Sequence, residues 1–206
     1  MVYEEVIGGI EKIAPPELAP QWDNSGVQVY TGKENIQRIL VCLEINGDII
    51  EEAKKRSVDL IVSHHPLIFQ GLKSINPYGY SSLSVEVHRV GEQMTSKYVM
   101  ELIKADISAY SAHISFDRAP DGNNAYLSEL LGLEDVYVPG SAEAEVTGLI
   151  GSWKEEKILE EVLKQLAEIP GVSLAEMRVV GNPKRPVNKV ALCTGAGGDL
   201  LGYAIS

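Results

Sequence analysis

Apolar residues recur along the chain in short runs that alternate with stretches of helical spacing. Val6, Ile10 and Ile13 lie about one helical turn apart and predict a first helix over residues 2–14, which ends before Pro15. Short apolar runs predict strands at 38–44, 58–63 and 107–112, and polar-faced or mixed stretches predict helices at 48–56, 84–104 and 123–131. Strands and helices that alternate at these lengths are typical of an α/β fold with helices against a largely parallel sheet.

The second part of the chain continues in the same style. Strands are predicted at 146–152, 177–180 and 189–194, and an amphipathic helix at 154–168. The Pro-Gly-Ser sequence that begins at Pro139 is the best candidate boundary, so we predict two α/β domains, 1–138 and 139–206.

Composition narrows the class of protein. Of the 206 residues, 45% are hydrophobic and 23% are charged, which is ordinary for a globular protein. A formal net charge of -11 repels phosphate backbones, so nucleic-acid binding is not expected. Neither a signal peptide nor a membrane span is predicted from the sequence. Cys42 and Cys193 lie in apolar stretches, which indicates reduced thiols of the core and not a disulfide. The cytoplasm is therefore the expected compartment.

Three histidines follow directly after predicted strands. His64 and His65 follow the run that ends at Ser63, and His113 follows the run 107–112, with Asp117 four positions later. Ligands of open α/β sheets bind outside the carboxyl ends of the strands, so these side chains are expected at one region. Imidazole nitrogen with carboxylate oxygen suits zinc, iron or manganese. A hydrogen-bonded structural turn remains the alternative to a metal site.

Two further segments have a functional and a structural interpretation. The glycine-rich turn at 195–198 resembles a phosphate-binding loop, but it lacks the third glycine and the later acidic residue of a dinucleotide site, which favours a tight turn. The polar segment 21–28 contains Asp23 and Asn24, and a turn bonded to its own backbone is the favoured interpretation. The alternative places Asp23 or Asn24 beside the metal edge, behind the ligands.

Five motifs, taken in order, resemble the Nif-three-like family, whose bacterial members are often named GTP cyclohydrolase I type 2 homologues. They are WDNSGVQ at 22–28, IVSHHPL at 61–67, AHISFD at 112–117, GNN at 122–124 and CTGAGG at 193–198. The resemblance extends from about residue 22 to residue 201, and the ordered set is far more specific than any one motif.

The resemblance implies two similar α/β lobes that assemble into a homohexameric toroid with dinuclear metal centres. It implies that His64, His65 and Asp117 are metal ligands and that His113 is a catalytic, site-lining residue. The expected function is metal-dependent hydrolysis of a nucleotide or another small phosphorylated or heterocyclic compound, and a non-catalytic metal-binding scaffold is the alternative.

The chain departs from the family pattern in one respect that bears on metal binding. The family's remaining two ligands are a histidine and a glutamate in a C-terminal segment, and this sequence has no histidine after His113. We therefore expect a second lobe that is incomplete and at most one weakly held divalent ion on this chain, because a catalytic zinc-type site normally uses about three protein ligands for one ion.

Overall fold

The computed structural model describes residues 1–76, 87–140 and 146–205, with side chains at all of these except 87–93 and 199. The chain divides into two compact units, Met1–Ala119 and Pro120–Ser206. The start of the helix predicted at 84–104 and the side chain of His88 lie outside the described residues.

The first unit contains a four-stranded mixed sheet with helices on both faces. Its helices are α1 (Tyr3–Ile13), α2 (Gly47–Lys55), α3 (Val87–Lys104) and α4 (Ile114–Asp117), and its strands are β1 (Gly26–Val29), β2 (Ile39–Cys42), β3 (Leu60–Ser63) and β4 (Ser108–Ser111). The strand order is β1-β4-β3-β2, in which β2, β3 and β4 are parallel and β1 is antiparallel to β4. The mixed, largely parallel sheet is as predicted; only β1 was not expected.

Alternation along the central strands builds a core on each side of this sheet. Successive strand residues point to opposite faces, so Leu60 and Ile61 enter different clusters. Ile61 packs with residues of α2 and α3, including Ile50 and Leu102, which are fully buried. Leu60 packs with residues of α1 on the other face. Both faces of β3 are therefore covered, and this fixes the strand that ends at the histidines.

The second unit contains an antiparallel sheet of three strands. Its strands are β5 (Glu134–Tyr137), β6 (Leu149–Ile158) and β7 (Pro186–Leu192), and its helices are α5 (Asn123–Leu131), α6 (Leu159–Ala167) and α7 (Leu201–Ile205). Short 3-10 turns are described at Pro16–Leu18, Leu174–Glu176 and Gly198–Leu200. The mixed α/β class is confirmed, although this sheet has no parallel pair among the described residues.

The predicted boundary at Pro139 lies inside the second unit. Helix α5 belongs to that unit because Leu131 packs with Trp153 and Leu192, and because the Trp153 indole N–H donates to the Leu131 carbonyl at 2.7 Å. The buried Asn124 side chain also donates to the Thr147 carbonyl. A boundary inferred from a Pro-Gly-Ser loop takes no account of this packing. The apolar face of α5 has to be buried, and it is buried in the second unit.

Predictions for the second unit were wrong in detail at two places, residues 177–180 and the β6–α6 junction, where the helix predicted at 154–168 begins only at Leu159. Residues 177–180 form no strand, and their side chains are mostly exposed, with Val180 97% exposed. β6 continues to Ile158, six residues beyond the predicted end, because an irregularity in its pairing with β7 carries the strand on to a second set of partners. In the described part of the chain, no helix has the length and apolar character to cross a membrane.

Candidate metal centre

The ends of β3 and β4 bring the histidines to one edge of the first sheet. Ser63 and Ser111, the last residues of these parallel strands, lie opposite each other in the register. Directly after β3 the chain stays hydrogen-bonded to the end of β2 and to the residue that follows it, since the His64 and His65 N–H groups donate to the carbonyls of Cys42 and Leu43. The placement predicted from the carboxyl ends of the strands is the one observed.

The three histidines form a compact cluster. Each of His64, His65 and His113 offers a ring nitrogen, and these three atoms all lie within 4.8 Å of one another. Their ring centroids are 5.2 to 5.8 Å apart. The Asp117 carboxylate joins the edge of the cluster, with its Oδ2 atom 3.8 Å from His64 Nε2. All four predicted site residues therefore meet, and the ring of His113 is as close to His64 as the ring of His65 is, at 5.2 Å between centroids.

The rings of His64 and His113 are each oriented by a hydrogen bond at Nδ1. His64 Nδ1 lies 2.9 Å from the Ala112 carbonyl oxygen, which can only accept, so His64 Nδ1 carries the hydrogen. Its Nε2 atom then keeps a lone pair that a metal ion can use. His65 Nδ1 lies 3.9 Å from the exposed Glu44 carboxylate, a looser contact.

His113 is oriented by the segment before β1. Its Nδ1 atom lies 2.6 Å from Asp23 Oδ1, and the Asp23 side chain is fully buried. The Ser25 hydroxyl and N–H both donate to Asp23 Oδ2, at 2.5 and 3.2 Å. The His113 N–H in turn donates to Ser25 Oγ at 3.2 Å. Asp23 is thus bonded to its own turn, as favoured from the sequence, and also contacts the cluster, as the alternative proposed.

The same segment holds the loop that follows His65. The Asn24 side-chain amide donates to the Ile68 carbonyl, and the Ile68 N–H donates to Gln28 Oε1 at 3.1 Å. This loop presents Phe69, whose ring is 53% exposed and lies edge-on to His113 at 6.4 Å between centroids. One side of the cluster therefore faces an exposed aromatic ring on a braced loop.

Two buried serine hydroxyls lie beneath the cluster. Ser63 Oγ donates to the His65 carbonyl at 2.8 Å. Ser111 Oγ lies 2.8 Å from Ser63 Oγ and 3.3 Å from the same carbonyl, so its single hydrogen is donated to Ser63 Oγ at the shorter distance. These contacts fix the backbone between the two adjacent histidines. Imidazole nitrogens with buried supporting acceptors and a nearby carboxylate form a donor set that fits zinc, iron or manganese.

Two other regions of the described chain have features of a ligand site, but structural roles explain them. A surface depression of about 530 Å³ lies at the opposite, amino end of β3, but its Lys33 and Lys54 are already paired with acidic side chains, which favours a structural role. The glycine turn at 195–198 is tight, because a Cβ added at Gly197 would lie 3.0 Å from the Cys193 Cβ. This geometry accounts for the glycine without a phosphate ligand.

Comparisons with known proteins agree with the motif order. The family model described as Duf34/NIF3 (NGG1p interacting factor 3) matches residues 1–206. A GTP cyclohydrolase 1 type 2 homolog from Clostridium perfringens is 30% identical over 208 residues, covering 99% of this chain and 73% of that protein.

Solved structures show the same fold. Reduced HcgD from Methanocaldococcus jannaschii matches with a TM-score of 0.65 and 29% identity, over 82% of this chain and 60% of that one. A Bacillus cereus protein related to NIF3 matches with a TM-score of 0.75 and 19% identity, over all of this chain and 79% of that one. At that lower identity, the second likeness shows the fold alone.

Proposed function

We propose that this chain, which belongs to the Duf34/NIF3 family, binds a divalent transition-metal ion at the carboxyl edge of its first sheet. The observation that carries the proposal is the cluster of three ring nitrogens within 4.8 Å. In that cluster His64 and His113 each have Nδ1 beside an oxygen acceptor, so each has Nε2 available. Zinc, iron and manganese are the ions that this donor set favours.

His64, His65 and His113 would hold the ion, with the Asp117 carboxylate as a further ligand at the edge. We extend the proposal to a metal-dependent hydrolase of a nucleotide or another small phosphorylated or heterocyclic compound. When bound, such an ion supplies activated water near neutral pH and polarises the bond to be cut. Phe69, exposed beside His113, would contact the apolar part of the substrate.

Metal binding is tested by titrating zinc, manganese and ferrous iron into metal-stripped protein of 206 residues, with calorimetry and chelator competition as readouts. We expect one equivalent to bind, and His64→Ala and His113→Ala each to weaken binding at least tenfold, because each removes one of about three ligands. His88→Ala removes the remaining histidine of the chain and serves as the matched control. Binding that survives loss of His64 or His113, or that falls equally with His88→Ala, would contradict the site.

Catalysis is tested separately by incubating the metal-loaded protein with nucleotides and cyclic phosphodiesters. Product release that depends on the added metal and disappears with Asp117→Ala supports the hydrolase. Metal binding without product in any of these assays supports instead the non-catalytic binding role, since fold and family do not determine chemistry.

We also propose that the chain self-associates through the β2 edge, in a cytoplasmic homo-oligomer. Ile39, Val41 and Leu43 alternate along this edge strand and are 46%, 78% and 63% exposed, which makes an apolar strip at an unpaired sheet edge among the described residues. Val41→Lys should reduce the oligomer size in sedimentation velocity, and Val180→Lys, at an exposed position of the second unit, should not. Equal sizes for both variants would reject this edge as the interface.

A further inference from the structure

We infer that Asp23 is a positioning residue, which holds the His113 ring in the Nδ1–H tautomer and thereby aims the Nε2 lone pair at the cluster. The expected effect of Asp23 on metal affinity rests on the proposed metal site, whereas its contact with the His113 ring does not. Asp23 Oδ1 lies 2.6 Å from His113 Nδ1, across 90 residues of sequence. From the sequence, a position for Asp23 behind the ligands was only the alternative to a local turn, and His113 was not identified as its partner.

Asp23 is buried although it carries a carboxylate. Its side chain is 0% exposed, whereas His113 is 20% exposed. A buried carboxylate destabilises the fold unless donors surround it. Here the donors are Ser25 and the His113 ring, so the carboxylate is oriented on both oxygens: Oδ2 accepts from the Ser25 N–H and hydroxyl, and Oδ1 faces His113.

The carboxylate of Asp23 determines which nitrogen of His113 carries the hydrogen. An ionised carboxylate only accepts hydrogen bonds, so the hydrogen of this bond resides on His113 Nδ1. The remaining ring nitrogen, Nε2, is then the atom with a lone pair. A carboxylate behind a metal-binding histidine also increases the basicity of the ligand atom.

Ser25 closes the arrangement into a ring. Its hydroxyl donates to Asp23 at 2.5 Å and accepts from the backbone N–H of His113 at 3.2 Å. The backbone and the side chain of His113 are therefore both tied to the same turn, so the imidazole can neither rotate nor shift without breaking a bond to it. A purely structural ion pair would need only the contact between Asp23 and the His113 ring.

The test begins with the tautomer of the metal-stripped wild-type protein, which requires no variant and no metal. Long-range proton–nitrogen correlation of the ¹⁵N-labelled protein, recorded at a pH where its imidazoles are neutral, should show His113 as the Nδ1–H form. The resonance is assigned by its loss in His113→Gln. A ring that shows the Nε2–H form, or an even mixture, would overturn the inference.

Substitution then links the tautomer to metal affinity. Asp23→Asn keeps the shape but removes the charge, and we expect a mixed or reversed tautomer and a zinc affinity that is about 10- to 100-fold lower. Ser25→Ala should have a smaller effect in the same direction. Asp59→Asn is the matched control, because Asp59 is also poorly exposed and hydrogen-bonded but lies at the other end of β3. It should leave both readouts unchanged.

The outcomes separate this inference from the metal site itself. Asp23→Asn protein that keeps the Nδ1–H tautomer and wild-type zinc affinity would overturn the role of Asp23. A wild-type protein that binds no zinc would overturn the metal proposal. If His113 of that wild-type protein still had the Nδ1–H tautomer, and Asp23→Asn abolished this tautomer, the positioning of the ring by Asp23 would stand.

Discussion

The hydrogen-bond distances of the two serine hydroxyls beneath the histidines predict which of the two serines contributes more to stability. Ser63 donates to the His65 carbonyl at 2.8 Å and accepts the single hydroxyl hydrogen of Ser111 at 2.8 Å, and Ser111 Oγ also lies 3.3 Å from the same carbonyl. Both side chains are essentially fully buried. Ser63→Ala removes the two shorter contacts, and Ser111→Ala leaves the best contact to His65 in place.

Each buried hydrogen bond contributes about 0.5–1.5 kcal/mol net. We therefore expect Ser63→Ala to lower the free energy of unfolding by about 1–3 kcal/mol, and Ser111→Ala by about 0.5–1.5 kcal/mol. The bond between the hydroxyls is lost in either single variant, so it is counted twice when the two effects are added. The double variant should consequently be less destabilised than the sum, by a coupling energy of roughly 1 kcal/mol.

The measurement is urea unfolding followed by circular dichroism, with differential scanning calorimetry to separate the transitions of the two units. Ser108→Ala is the control, because Ser108 is equally buried on β4 but its hydroxyl contacts Thr31 instead of His65. Ser63→Ala should also weaken zinc binding, and Ser108→Ala should not. Strict additivity, or a larger effect of Ser111→Ala than of Ser63→Ala, would refute the reasoning.

Three other substitutions test the two units. Burial alone would raise the pKa of Asp59, but hydrogen bonds from Lys33 and two backbone amides lower this pKa on balance. The stabilisation that ionised Asp59 contributes is therefore present above about pH 4 and is lost as the pH falls through the lowered pKa. Asp59→Asn should flatten the dependence of the free energy of unfolding on pH in that range, measured by urea unfolding at a series of pH values. Burial, and then the charge of Glu11, raises the pKa of Tyr110 to about 12, and its hydroxyl is buried without a described partner, so Tyr110→Phe should leave the thermal midpoint unchanged or higher. Trp153→Phe leaves the Leu131 carbonyl without its donor and should cost the second unit about 1–3 kcal/mol in the same unfolding assay, whereas a loss below 0.5 kcal/mol would contradict this.

The gathering of the histidines was predictable from the sequence because it follows from a rule about parallel strands. His64 and His113 each come directly after an apolar run, and parallel strands end at the same edge of a sheet. Knowing which residues end two neighbouring strands was therefore enough to bring these side chains together. No local pattern was needed beyond the apolar runs themselves.

The partner of His113 was not predictable in the same way. Asp23 reaches His113 because β1 pairs antiparallel with β4, with Gly26 opposite Ser111. β1 is only four residues long and overlaps the polar segment 21–28 that was interpreted as a turn, so no strand was predicted there. Turn chemistry explains why Asp23 bonds to Ser25, but only the long-range pairing shows what the other carboxylate oxygen contacts.

The second unit shows the opposite failure, in which local pattern predicted a strand that tertiary structure does not use. Residues 177–180 have strand-like composition, yet no described strand lies beside them and Val180 is 97% exposed. Glu134–Tyr137 is largely polar and exposed, yet it pairs with β6. Strand propensity mainly reflects packing against neighbours, so composition misleads where the neighbours are set by distant residues.

Gly26 explains how one short segment can both turn and hold the site. Its φ of +118° is a conformation that residues with a Cβ rarely adopt, and it lies between the turn at Asp23 and Ser25 and the start of β1. The glycine lets the chain enter the antiparallel pairing with β4 directly after the two residues that bond to His113. A residue with a Cβ would be strained at this φ although the space around Gly26 is open, and relief of that strain would displace the turn and separate the buried carboxylate from the imidazole. The sequence Asp-Asn-Ser-Gly is thus a turn signal locally and, through one backbone conformation, the support of the candidate metal centre.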